Sequence, residues 1–375
     1  MVNENLGALF RVKSGDGIAI SKLRPFGMYP VYGGNGINGY TSNYNVDGDT
    51  LVIGRVGEKC GNVNITSTKS WVSDNALIVI PKARYNIEYL SYLLEFLNLN
   101  DYANRNAQPV ISGQIIYAIE TPYEDDEEHQ GEIARTLSQF DTYIDDLTEL
   151  IEKKKGIREG ALEDLISGKT RIVGFSGERK EFSINDITRE VITGGTPSTS
   201  RREYYGGNIP WLASAEIHQK RITKPTTYIT ELGLQNSSAK IAPEKSVLIA
   251  LAGQGKTRGT AAYLTKPMAL NQSLAALVTN EKCNSEFLYY LIESMYSSLR
   301  ELSSGDGGRG GLNKKLIKGV LVTIPVDVDE QEAIANTLLA IDEEIRDLET
   351  EREKMIQIRE GAMNDLLTGR VRLTK

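Results

Sequence analysis

The chain has 375 residues, of which 40% are hydrophobic and 25% charged, and its formal net charge is −7. This composition predicts a globular protein of two or three domains with sizeable cores. The sequence contains no run of about 18 apolar residues, and Met1–Leu9 lacks the charged-then-apolar pattern of a secretory signal. We therefore expect neither a membrane span nor a signal peptide, and we expect a cytoplasmic location.

Cysteine and histidine are scarce in this chain. The cysteines are Cys60 and Cys283, and the histidines are His129 and His218. A zinc site needs three or four clustered ligands, so these scattered residues predict no metal site. A disulfide is also not expected in a reducing cytosol.

The first 125 residues, called the first module, show short apolar runs separated by Gly, Asn, Ser and Pro clusters. This pattern is typical of a β-rich domain with long loops. The glycine-rich segment Gly33–Gly39 does not join a clear strand to a helix, so a turn is favoured there over a nucleotide-binding loop. The predicted strands are Tyr29–Tyr32, Thr50–Arg55, Asn62–Thr66 and Ala76–Ile80.

A long helical pattern follows the first module and occurs twice. Residues 128–172 return without a gap as residues 329–373, 201 positions later, with 20 of 45 residues identical. Solenoid repeats have periods of roughly 20 to 50 residues, so the pattern indicates two large modules that each precede a copy of one helix. Both copies end in a glycine followed by a basic residue, Gly168-Lys169 and Gly369-Arg370, as expected at a helix end.

Apolar residues in both copies are spaced by alternating four and three positions, which is the seam of a coiled coil. Burial of each stripe against its own copy predicts an antiparallel helix pair, with about 35 to 38 residues of each copy helical. The predicted seam consists of Ile133, Leu137, Phe140, Ile144, Leu147, Ile151, Ile334, Leu338, Ile341, Ile345, Leu348 and Met355.

Residues 173–325, called the second module, show the β-rich pattern again. The modules also share the pattern E-x-L-x-Y-L, at Glu88–Leu94 and Glu286–Ile292, which predicts that they are diverged relatives. The predicted strands are Ile209–Leu212, Ser246–Leu251, Thr260–Leu264 and Leu274–Val278.

Negative charge is concentrated on the helical copies. The net charge is −2 for residues 1–125, −5 for 126–172, +6 for 173–325 and −6 for 326–375. Acidic helices repel phosphate and a basic module attracts it, so we expect a polyanion to bind the modules and not the helices. For any single charged run, the alternative is a solvated helix face.

Ala250–Thr257 reads A-x-x-x-x-G-K-T after a strand-like run and satisfies a relaxed phosphate-loop pattern. A phosphate loop needs a helix directly after it, and Arg258–Leu264 indicates a turn followed by a strand. Nucleotide binding is therefore disfavoured. Two interpretations stay open: a DNA contact through Gln254, Lys256 and Arg258, or a structural hairpin loop with solvated charges.

Three further motifs connect the chain with a known family. They are G-G-T-P-S at Gly194–Ser198 followed by Y-Y-G-G-N-I-P-W-L at Tyr204–Leu212, Y-P-V-Y-G-G-N-G-I-N-G-Y at Tyr29–Tyr40, and the I-R-E-G-A…D-L ending that begins at Ile157 and again at Ile358. Together these motifs resemble the specificity subunits of type I restriction-modification enzymes over essentially the whole chain. One departure is that Met1–Ser21 shows no counterpart of G-G-T-P-S.

The resemblance implies two target-recognition domains, residues 1–125 and 173–325, that alternate with two conserved helical regions, residues 126–172 and 326–375. The expected fold class is α+β, with two β-rich target-recognition domains separated by a long antiparallel pair of helices, a coiled coil. In that family the domains read the two halves of an interrupted asymmetric site in double-stranded DNA. The helices fix the gap between the half-sites and dock two methyltransferase subunits, through which restriction subunits join.

No catalytic activity is expected of this chain, because it lacks the Asn/Asp-Pro-Pro-aromatic motif of adenine methyltransferases. We expect no cofactor in the chain itself. The resemblance places S-adenosylmethionine, ATP and Mg²⁺ in the partner subunits. The assembled complex would then be a site-specific adenine-N6 DNA methyltransferase and an ATP-dependent endonuclease.

Arginine, lysine, asparagine and glutamine are the residue types that bond to base edges and phosphates of DNA. Tyr204, Tyr205 and Trp211 are expected to pack within the protein and not to stack on bases. The alternative function is a two-headed adaptor that binds proteins or glycans with the coiled coil as spacer; salt-dependent binding to duplex DNA would distinguish the two. The candidate DNA-binding residues are Arg55, Lys59, Lys69, Arg105, Arg201, Arg202, Gln254, Lys256, Arg258 and Arg309.

Overall fold

The computed structural model describes residues 1–66, 68–82, 84–105, 108–253, 255–304 and 311–373. The chain divides into two compact units. The first unit consists of Met1–Glu149 and Leu348–Lys375, and the second of Leu150–Asp347. Each unit therefore contains one module together with part of each long helix. Among the described residues, none of the helices has the length and apolar character that a membrane crossing requires.

In its described residues the first unit contains three small sheets, the helices α1 to α4 and the C-terminal part of α10 (Val328–Leu367). Its sheets have the strand orders β2-β8-β5-β6, β4-β3-β7 and β1-β9. The strands are β1 (Val2–Asn5), β2 (Phe10–Ser14), β3 (Tyr29–Gly33), β4 (Gly36–Thr41), β5 (Thr50–Gly54), β6 (Val63–Thr66), β7 (Trp71–Val72), β8 (Ala76–Pro81) and β9 (Glu120–Tyr123). The helices are α1 (Leu6–Leu9), α2 (Ile87–Phe96), α3 (Gly113–Tyr117) and α4 (Glu127–Ser167), the last of which continues into the second unit.

The second unit has the same plan with additional edge strands. Its sheets have the strand orders β11-β19-β16-β17-β13, β14-β12-β18-β15 and β10-β20. The strands are β10 (Arg179–Ser183), β11 (Thr188–Thr193), β12 (Tyr205–Leu212), β13 (Arg221–Ile222), β14 (Thr227–Ile229), β15 (Lys240–Ala242), β16 (Val247–Ala250), β17 (Ala261–Leu264), β18 (Met268–Leu270), β19 (Leu274–Thr279) and β20 (Leu321–Pro325). The helices are α5 (Ile184–Ile187), α6 (Glu231–Gln235), α7 (Ser285–Ser294), α8 (Tyr296–Ser304), α9 (Lys314–Gly319) and α10 (Val328–Leu367), which ends in the first unit.

The two modules are related in structure, as the sequence predicts. The order β2-β8-β5-β6 of the first unit corresponds to β11-β19-β16-β17 of the second, and β4-β3-β7 corresponds to β14-β12-β18. All eight predicted strands are present, seven of them within one residue of the predicted bounds, whereas β12 begins at Tyr205, four residues before the predicted start at Ile209. The shared E-x-L-x-Y-L pattern forms α2 and α7, each capped by an asparagine, Asn86 or Asn284, whose side chain accepts a backbone hydrogen bond. Both helices bury their apolar face against the sheet.

The start of the first module contains a structural counterpart of G-G-T-P-S, although the sequence of Met1–Ser21 shows none. In the second unit the backbone N–H of Gly195, within G-G-T-P-S, donates to the carbonyl of Leu270 in β18 at 2.9 Å. In the first unit the backbone N–H of Asp16 donates to the carbonyl of Val72, in the corresponding strand β7, at 3.0 Å. The segment around Asp16 therefore takes the place of G-G-T-P-S. The sequence does not reveal this counterpart because the shared feature is a backbone hydrogen bond, which does not depend on the side chain.

Helices α4 and α10 have 41 and 40 residues, somewhat more than the predicted 35 to 38. They pair in antiparallel fashion: within the second unit Lys154 contacts Glu344 at 2.6 Å, and Arg158, further along α4, contacts Asp342, earlier in α10. Both helices stop before a glycine with positive φ, at Gly168 (79°) and Gly369 (71°). The predicted α+β fold with its antiparallel helix pair is confirmed.

The predicted seam residues lie on the inner faces of the two helices. Seven are buried and five are half-buried, and four of the buried ones, Ile133, Leu137, Ile334 and Leu338, belong to the hydrophobic core of the module in the same unit. The buried ones are Ile133, Leu137, Leu147, Ile151, Ile334, Leu338 and Ile345. The half-buried ones are Phe140, Ile144, Ile341, Leu348 and Met355.

An arginine continues the seam in each copy. Arg158 lies seven positions after Ile151 and is only 8% exposed. Its Nε donates to Asp342 Oδ1 at 2.8 Å, its Nη2 donates to Glu293 of α7, and its guanidinium lies 5.8 Å from the ring centroid of Tyr290. Burial lowers the pKa of this guanidinium, but the hydrogen bond to Asp342 and the charge of Glu293 more than offset burial and raise that pKa. The arginine therefore stays charged inside the helix pair.

Arg359 makes the equivalent contacts in the first unit. Its Nε donates to Asp141, its Nη2 donates to Glu95 of α2 at 3.1 Å, and it lies 5.8 Å from the ring centroid of Tyr92. These acceptors correspond to those of Arg158 in the repeat. Each arginine thus ties the two long helices to the helix that covers the sheet of the same unit.

Candidate DNA interface

In the first unit one edge of the sheets carries the loops that hold most of the predicted DNA-binding residues. We call it the loop edge: β3 and β5 end there, at Gly33 and Gly54, and β8 begins there, at Ala76. Two glycines bring its loops into backbone contact, since a Cβ on Gly34 would meet the carbonyl oxygen of Val56 at 2.4 Å and a Cβ on Gly54 would meet that of Gly34 at 2.3 Å. The turn after β3 and the loop after β5 are therefore held directly against each other.

A groove of about 390 Å³ lies between these two loops. Its polar side chains are Asn35 and Asn38 from the hairpin of β3 and β4, Glu58 and Lys59 from the loop after β5, and Asn75 from the residue before β8. All five are exposed. Segment Gly33–Gly39 contains the predicted turn of this hairpin, at Gly34 and Asn35, together with the adjoining ends of β3 and β4, and it does not join a strand to a helix as a nucleotide loop does.

Two predicted residues flank this groove. Arg55 is half-buried, its backbone N–H donates to the carbonyl of Asn75 at 2.9 Å, and its Nη1 lies 3.5 Å from Ser14 Oγ. Arg105 is exposed, and its Nη2 donates to Asn100 Oδ1 at 2.6 Å. The structure therefore brings Arg55, Lys59 and Arg105 to neighbouring loops.

Lys69 lies at the opposite edge of the sheets. It follows β6, whose last residue, Thr66, pairs with Thr50 at the start of β5. Its Nζ donates to the Tyr44 hydroxyl at 3.2 Å and lies 3.6 Å from Asp47 Oδ2. The hydrogen bond with Tyr44 and the charge of Asp47 raise the pKa of Lys69. The structure does not place this residue with the other three.

The loop after β16 is the counterpart in the second unit. Its backbone is held by α8, because the Tyr296 hydroxyl donates to the carbonyl of Lys256 at 3.0 Å and Arg300 Nη1 donates to that of Gly255 at 2.7 Å. Lys256 is exposed, and Arg258 Nη1 donates to Ser303 Oγ at 3.3 Å. β17 follows this loop, so the prediction of a strand instead of a phosphate-loop helix is confirmed. The predicted residues Gln254 and Arg309 lie outside the described residues.

Arg201 and Arg202 lie near the start of β12, whereas the loop edge of the second unit lies at the end of this strand. Arg201 is 3.5 Å from Glu203 and 5.7 Å from the ring centroid of Tyr204. The structure therefore separates these two arginines from Lys256 and Arg258.

The aromatic residues near β12 pack within the second unit. Tyr204 and Trp211 are buried, and Tyr205 lies edge-on against Trp211 with ring centroids 6.5 Å apart. Its hydroxyl donates to the carbonyl of Pro197 at 2.6 Å. The prediction that these three residues pack and do not present stacking faces is confirmed.

Sequence reasoning missed several polar residues at the two loop edges. In the second unit His218 Nε2 lies 3.2 Å from Thr257 Oγ1, and Thr196 Oγ1 donates to Gln272 Oε1 at 2.5 Å. In the first unit the missed residues are Asn35, Asn38 and Asn75. The usable signal was position, since Asn35 lies in the turn between β3 and β4, Asn38 lies near the start of β4, and Asn75 directly precedes β8, whereas most of the predicted residues are positively charged.

The part of the chain that the structure describes contains no group of three or more His, Cys, Asp or Glu side chains placed to hold a metal ion. Cys60 and Cys283 are buried and free. The loop edges therefore offer hydrogen-bonding and charged groups, which suit recognition of a polar surface.

Comparison with models of protein families identifies the family to which the chain belongs. The model for "Type I restriction modification DNA specificity domain" matches residues 1–157 and 177–357. The chain thus belongs to the family of specificity subunits of type I restriction-modification enzymes, in agreement with the resemblance of its motifs. Membership in this family implies DNA sequence recognition.

Curated relatives and solved structures agree with this assignment. The chain is 32% identical over 155 residues to the type I restriction enzyme EcoprrI specificity subunit of Escherichia coli, a match that covers 40% of this chain and 38% of that relative. It is 24% identical over 291 residues to the EcoR124I/EcoR124II specificity subunit of Escherichia coli, covering 73% of this chain and 70% of the relative. The first match thus spans well under half of the relative's length.

Among solved structures, the S subunit of a type I restriction-modification system from M. genitalium has a similar fold, with a TM-score of 0.68 at 18% identity over 98% of this chain and 96% of that one. The HsdS subunit from Thermoanaerobacter tengcongensis matches with a TM-score of 0.53 at 15% identity, covering 99% and 97%. At these identities the likeness concerns the fold alone.

Proposed function

We propose that the chain is the non-catalytic, DNA-reading subunit of a type I restriction-modification complex. In this proposal the target-recognition domains, residues 1–125 and 173–325, each read one half of a bipartite, asymmetric site in double-stranded DNA. The observation that carries the proposal is the pair of loop edges: the same sheet edge occurs in both units, yet Asn35, Asn38 and Lys59 line it in one unit and Lys256 and Arg258 in the other. One scaffold with two different sets of polar side chains suits two different half-sites.

The helical regions, residues 126–172 and 326–375, have two roles in this proposal. They fix the separation of the half-sites, and their surfaces outside the seam dock two copies of a methyltransferase subunit, through which restriction subunits join. Their repeated sequence, with 20 of 45 residues identical, supports this division of roles, because one partner that binds twice needs a similar surface twice. Their acidic character supports binding of protein and disfavours direct binding of phosphate.

In this proposal the methyltransferase and restriction subunits carry out the reactions on the DNA. S-adenosylmethionine in the methyltransferase supplies the methyl group for an adenine that is flipped out of the duplex, and ATP with Mg²⁺ serves the restriction subunits. The residues of this chain bind, orient and select the duplex. The chain acts in the cytoplasm, where the DNA lies.

Half-site centres about one helical turn apart, 10 to 10.5 base pairs, would present both half-sites on one face of the duplex. Each unit would then meet the major groove with its loop edge, since that groove carries the distinguishing pattern of donors and acceptors. Lysine and arginine beside the groove would neutralise phosphates, which makes affinity fall as salt rises.

Long-read methylation mapping of a host strain with and without the chain tests the proposal. The expected result is one interrupted, asymmetric motif that is methylated only when the chain and its methyltransferase are both present. Purified chain incubated with DNA and labelled methyl donor should transfer nothing. A motif that persists without the chain, or binding to duplex DNA that does not weaken with salt, would contradict the proposal.

A further inference from the structure

The groove at the loop edge of the first unit has an unusual set of polar groups. Three carboxamides, those of Asn35, Asn38 and Asn75, lie on it together with the side chains of Glu58 and Lys59. The three carboxamides form no side-chain hydrogen bond with the described part of the chain, and Lys59 forms no ion pair there. These groups are therefore available to a ligand.

The charges on this groove fit a base edge better than a phosphate. The charged side chains that line the groove, Glu58 and Lys59, have opposite signs and sum to no net charge, and a phosphate near Glu58 would be repelled, whereas Arg55 and Arg105 lie beside the groove and not in its lining. A base edge is neutral and presents donors and acceptors side by side, which three carboxamides can match because each has one acceptor oxygen and one donor nitrogen.

A buried hydroxyl beside the groove also lacks a partner. Ser73 is 4% exposed, and its Oγ has no hydrogen-bond partner among the described residues. Ser73 and Asn38 both border the Cα of Gly33. A Cβ built on Gly33 would lie 2.0 Å from Asn38 Nδ2 and 3.5 Å from Ser73 Oγ. Buried polar groups are normally satisfied, so hydrogen bonding at this edge is incomplete in the free chain.

The loops that carry the carboxamides are fixed before any ligand binds. The turn with Asn35 contacts the loop after β5 backbone to backbone at Gly34 and Val56. The backbone N–H of Arg55 also donates to the carbonyl of Asn75, which joins the third carboxamide to the same loop. A preorganised set of hydrogen-bonding groups loses little conformational freedom on binding.

From these observations we infer that this groove reads the major-groove edge of an adenine. Adenine offers N7 as an acceptor and N6 as a donor, and a carboxamide binds both at once, whereas guanine offers two acceptors and is matched by arginine or lysine. The half-site bound by the first unit therefore includes at least one adenine that is recognised by Asn35, Asn38 or Asn75. This inference rests on the proposed function and names the base that the groove selects.

In the described part of its loop edge, the second unit presents a different set of groups. There the carboxamide of Gln272 is engaged by Thr196 at 2.5 Å, and His218 lies against Thr257. Lys256 and Arg258, which suit guanine and phosphate, lie on the described part of its loop. The inference of adenine recognition by carboxamides is therefore made for the half-site of the first unit alone.

The test uses the full chain expressed with its methyltransferase. Asn35→Ala, Asn38→Ala and Asn75→Ala are made singly, and the methylated motif of each is mapped by long-read sequencing. Asn43→Ala is the matched control, because Asn43 is an exposed asparagine of the same unit that lies outside the groove. At least one groove variant should relax an adenine position of one half-site, lowering its preference over the other bases about 5- to 150-fold, while the other half-site and the control stay unchanged.

A second measurement keeps the result independent of folding. Purified wild-type complex is bound to duplexes in which 7-deazaadenine, which lacks the N7 acceptor, replaces the adenine in question. The wild type should lose affinity with this duplex, and the responsible asparagine variant should not discriminate between the two duplexes.

Two kinds of failure are distinguishable. If the wild-type chain directs no interrupted motif, the proposed function fails. If the wild type directs such a motif and none of the three variants alters an adenine position, or if a variant alters only a guanine or cytosine position, the adenine inference is overturned while the proposed function stands.

Discussion

Arg158 and Asp342 form the central ion pair of the helix pair within the second unit, with Nε donating to Oδ1 at 2.8 Å. Both residues belong to the repeat, and 201 positions away Arg359 and Asp141 form the same contact with the helices exchanged. Antiparallel pairing explains this exchange, because the arginine of each copy then meets the aspartate of the other. The repeated I-R-E-G-A motif thus supplies a buried charge that the partner helix neutralises.

Replacement of this arginine should destabilise the second unit. Arg158→Ala leaves Asp342, whose side chain is 21% exposed, with the Tyr290 hydroxyl but without its arginine, and leaves Glu293, 19% exposed, with the exposed Lys220 as its remaining ion-pair partner. We expect a loss of about 3 kcal/mol in the free energy of unfolding, measured from the shift in urea denaturation. Lys169→Ala is the control: this side chain is 70% exposed in its pair with Asp164, so its loss should change little. Equal effects of the two substitutions would contradict a structural role for the buried pair.

Two glycine substitutions should have opposite effects on stability. Gly361 lies inside α10, and a Cβ there would meet nothing within 4 Å, so Gly361→Ala should stabilise the chain by about 0.5 to 1 kcal/mol. Gly194 lies in G-G-T-P-S, and a Cβ there would come within 1.8 Å of the carbonyl oxygen of Leu270, so Gly194→Ala should destabilise it. Thermal unfolding of the two variants measures both signs. A destabilised Gly361→Ala variant would show that this helix face is not open.

Lengthening the helix pair should change the separation of the half-sites. We would insert four helical residues after Glu149 in α4 and four after Asp347 in α10, which adds about 6 Å to each helix. At 3.4 Å per base pair the gap in the methylated motif should grow by one or two base pairs, with both half-site sequences retained. Insertion in α4 alone is the control, because it shifts Lys154 away from Glu344 and should impair function. An unchanged gap in the paired variant would contradict the spacer role.

The two thiols should be unreactive in the folded chain. Burial raises the pKa of Cys283 to about 12, and burial also raises the pKa of Cys60, with the charge of Arg105 acting in the opposite direction. Because the thiolate is the reactive form, a thiol reagent at pH 8 should label neither cysteine quickly in the native chain and both after denaturation. Ser176→Cys, at an exposed position, is the positive control. Fast labelling of Cys283 in the native chain would contradict its burial.

Docking of the methyltransferase should depend on two equivalent exposed isoleucines. Ile157 and Ile358 are 58% and 52% exposed within the most strictly repeated segment, where an apolar side chain gains little from the chain itself. Ile157→Glu and Ile358→Glu should each weaken binding of one methyltransferase copy without lowering the unfolding midpoint, as measured by native mass spectrometry of the complex. Leu232→Glu, at an exposed leucine of the second module, is the control. Full occupancy by two copies in both isoleucine variants would assign docking to another surface.

The fold could be predicted largely from the sequence because its strongest signals are local. Strands such as Thr50–Gly54 are buried apolar runs bounded by turn residues, and the seam follows from a spacing that only a helix pair satisfies. The contacts of Arg158 were not predicted. Its position on the seam, seven residues after Ile151, was a usable signal, but the predicted seam of the first copy ended at Ile151.

The candidate site could be predicted only in part, because charge alone does not locate a residue on a sheet. Lys59 and Lys256 align in sequence and both lie at a loop edge, whereas Lys69 is engaged by Asp47 and Tyr44 at the other edge. The groove of Asn35 and Asn75 joins residues 40 positions apart, and their proximity depends on strand order, which no local pattern encodes.

The composition of the first unit has a consequence for biosynthesis. Met363, Leu366 and Leu367 lie in the same hydrophobic core as Leu6 and Leu9. This core cannot be completed until residues more than 350 codons after Leu9 have been translated. Once Asp347 has been translated, all segments of the second unit exist, whereas the first unit still lacks the part of its core that comes from the end of α10. The module that is synthesised first is therefore the last to become complete, and until then part of its apolar surface stays exposed to solvent.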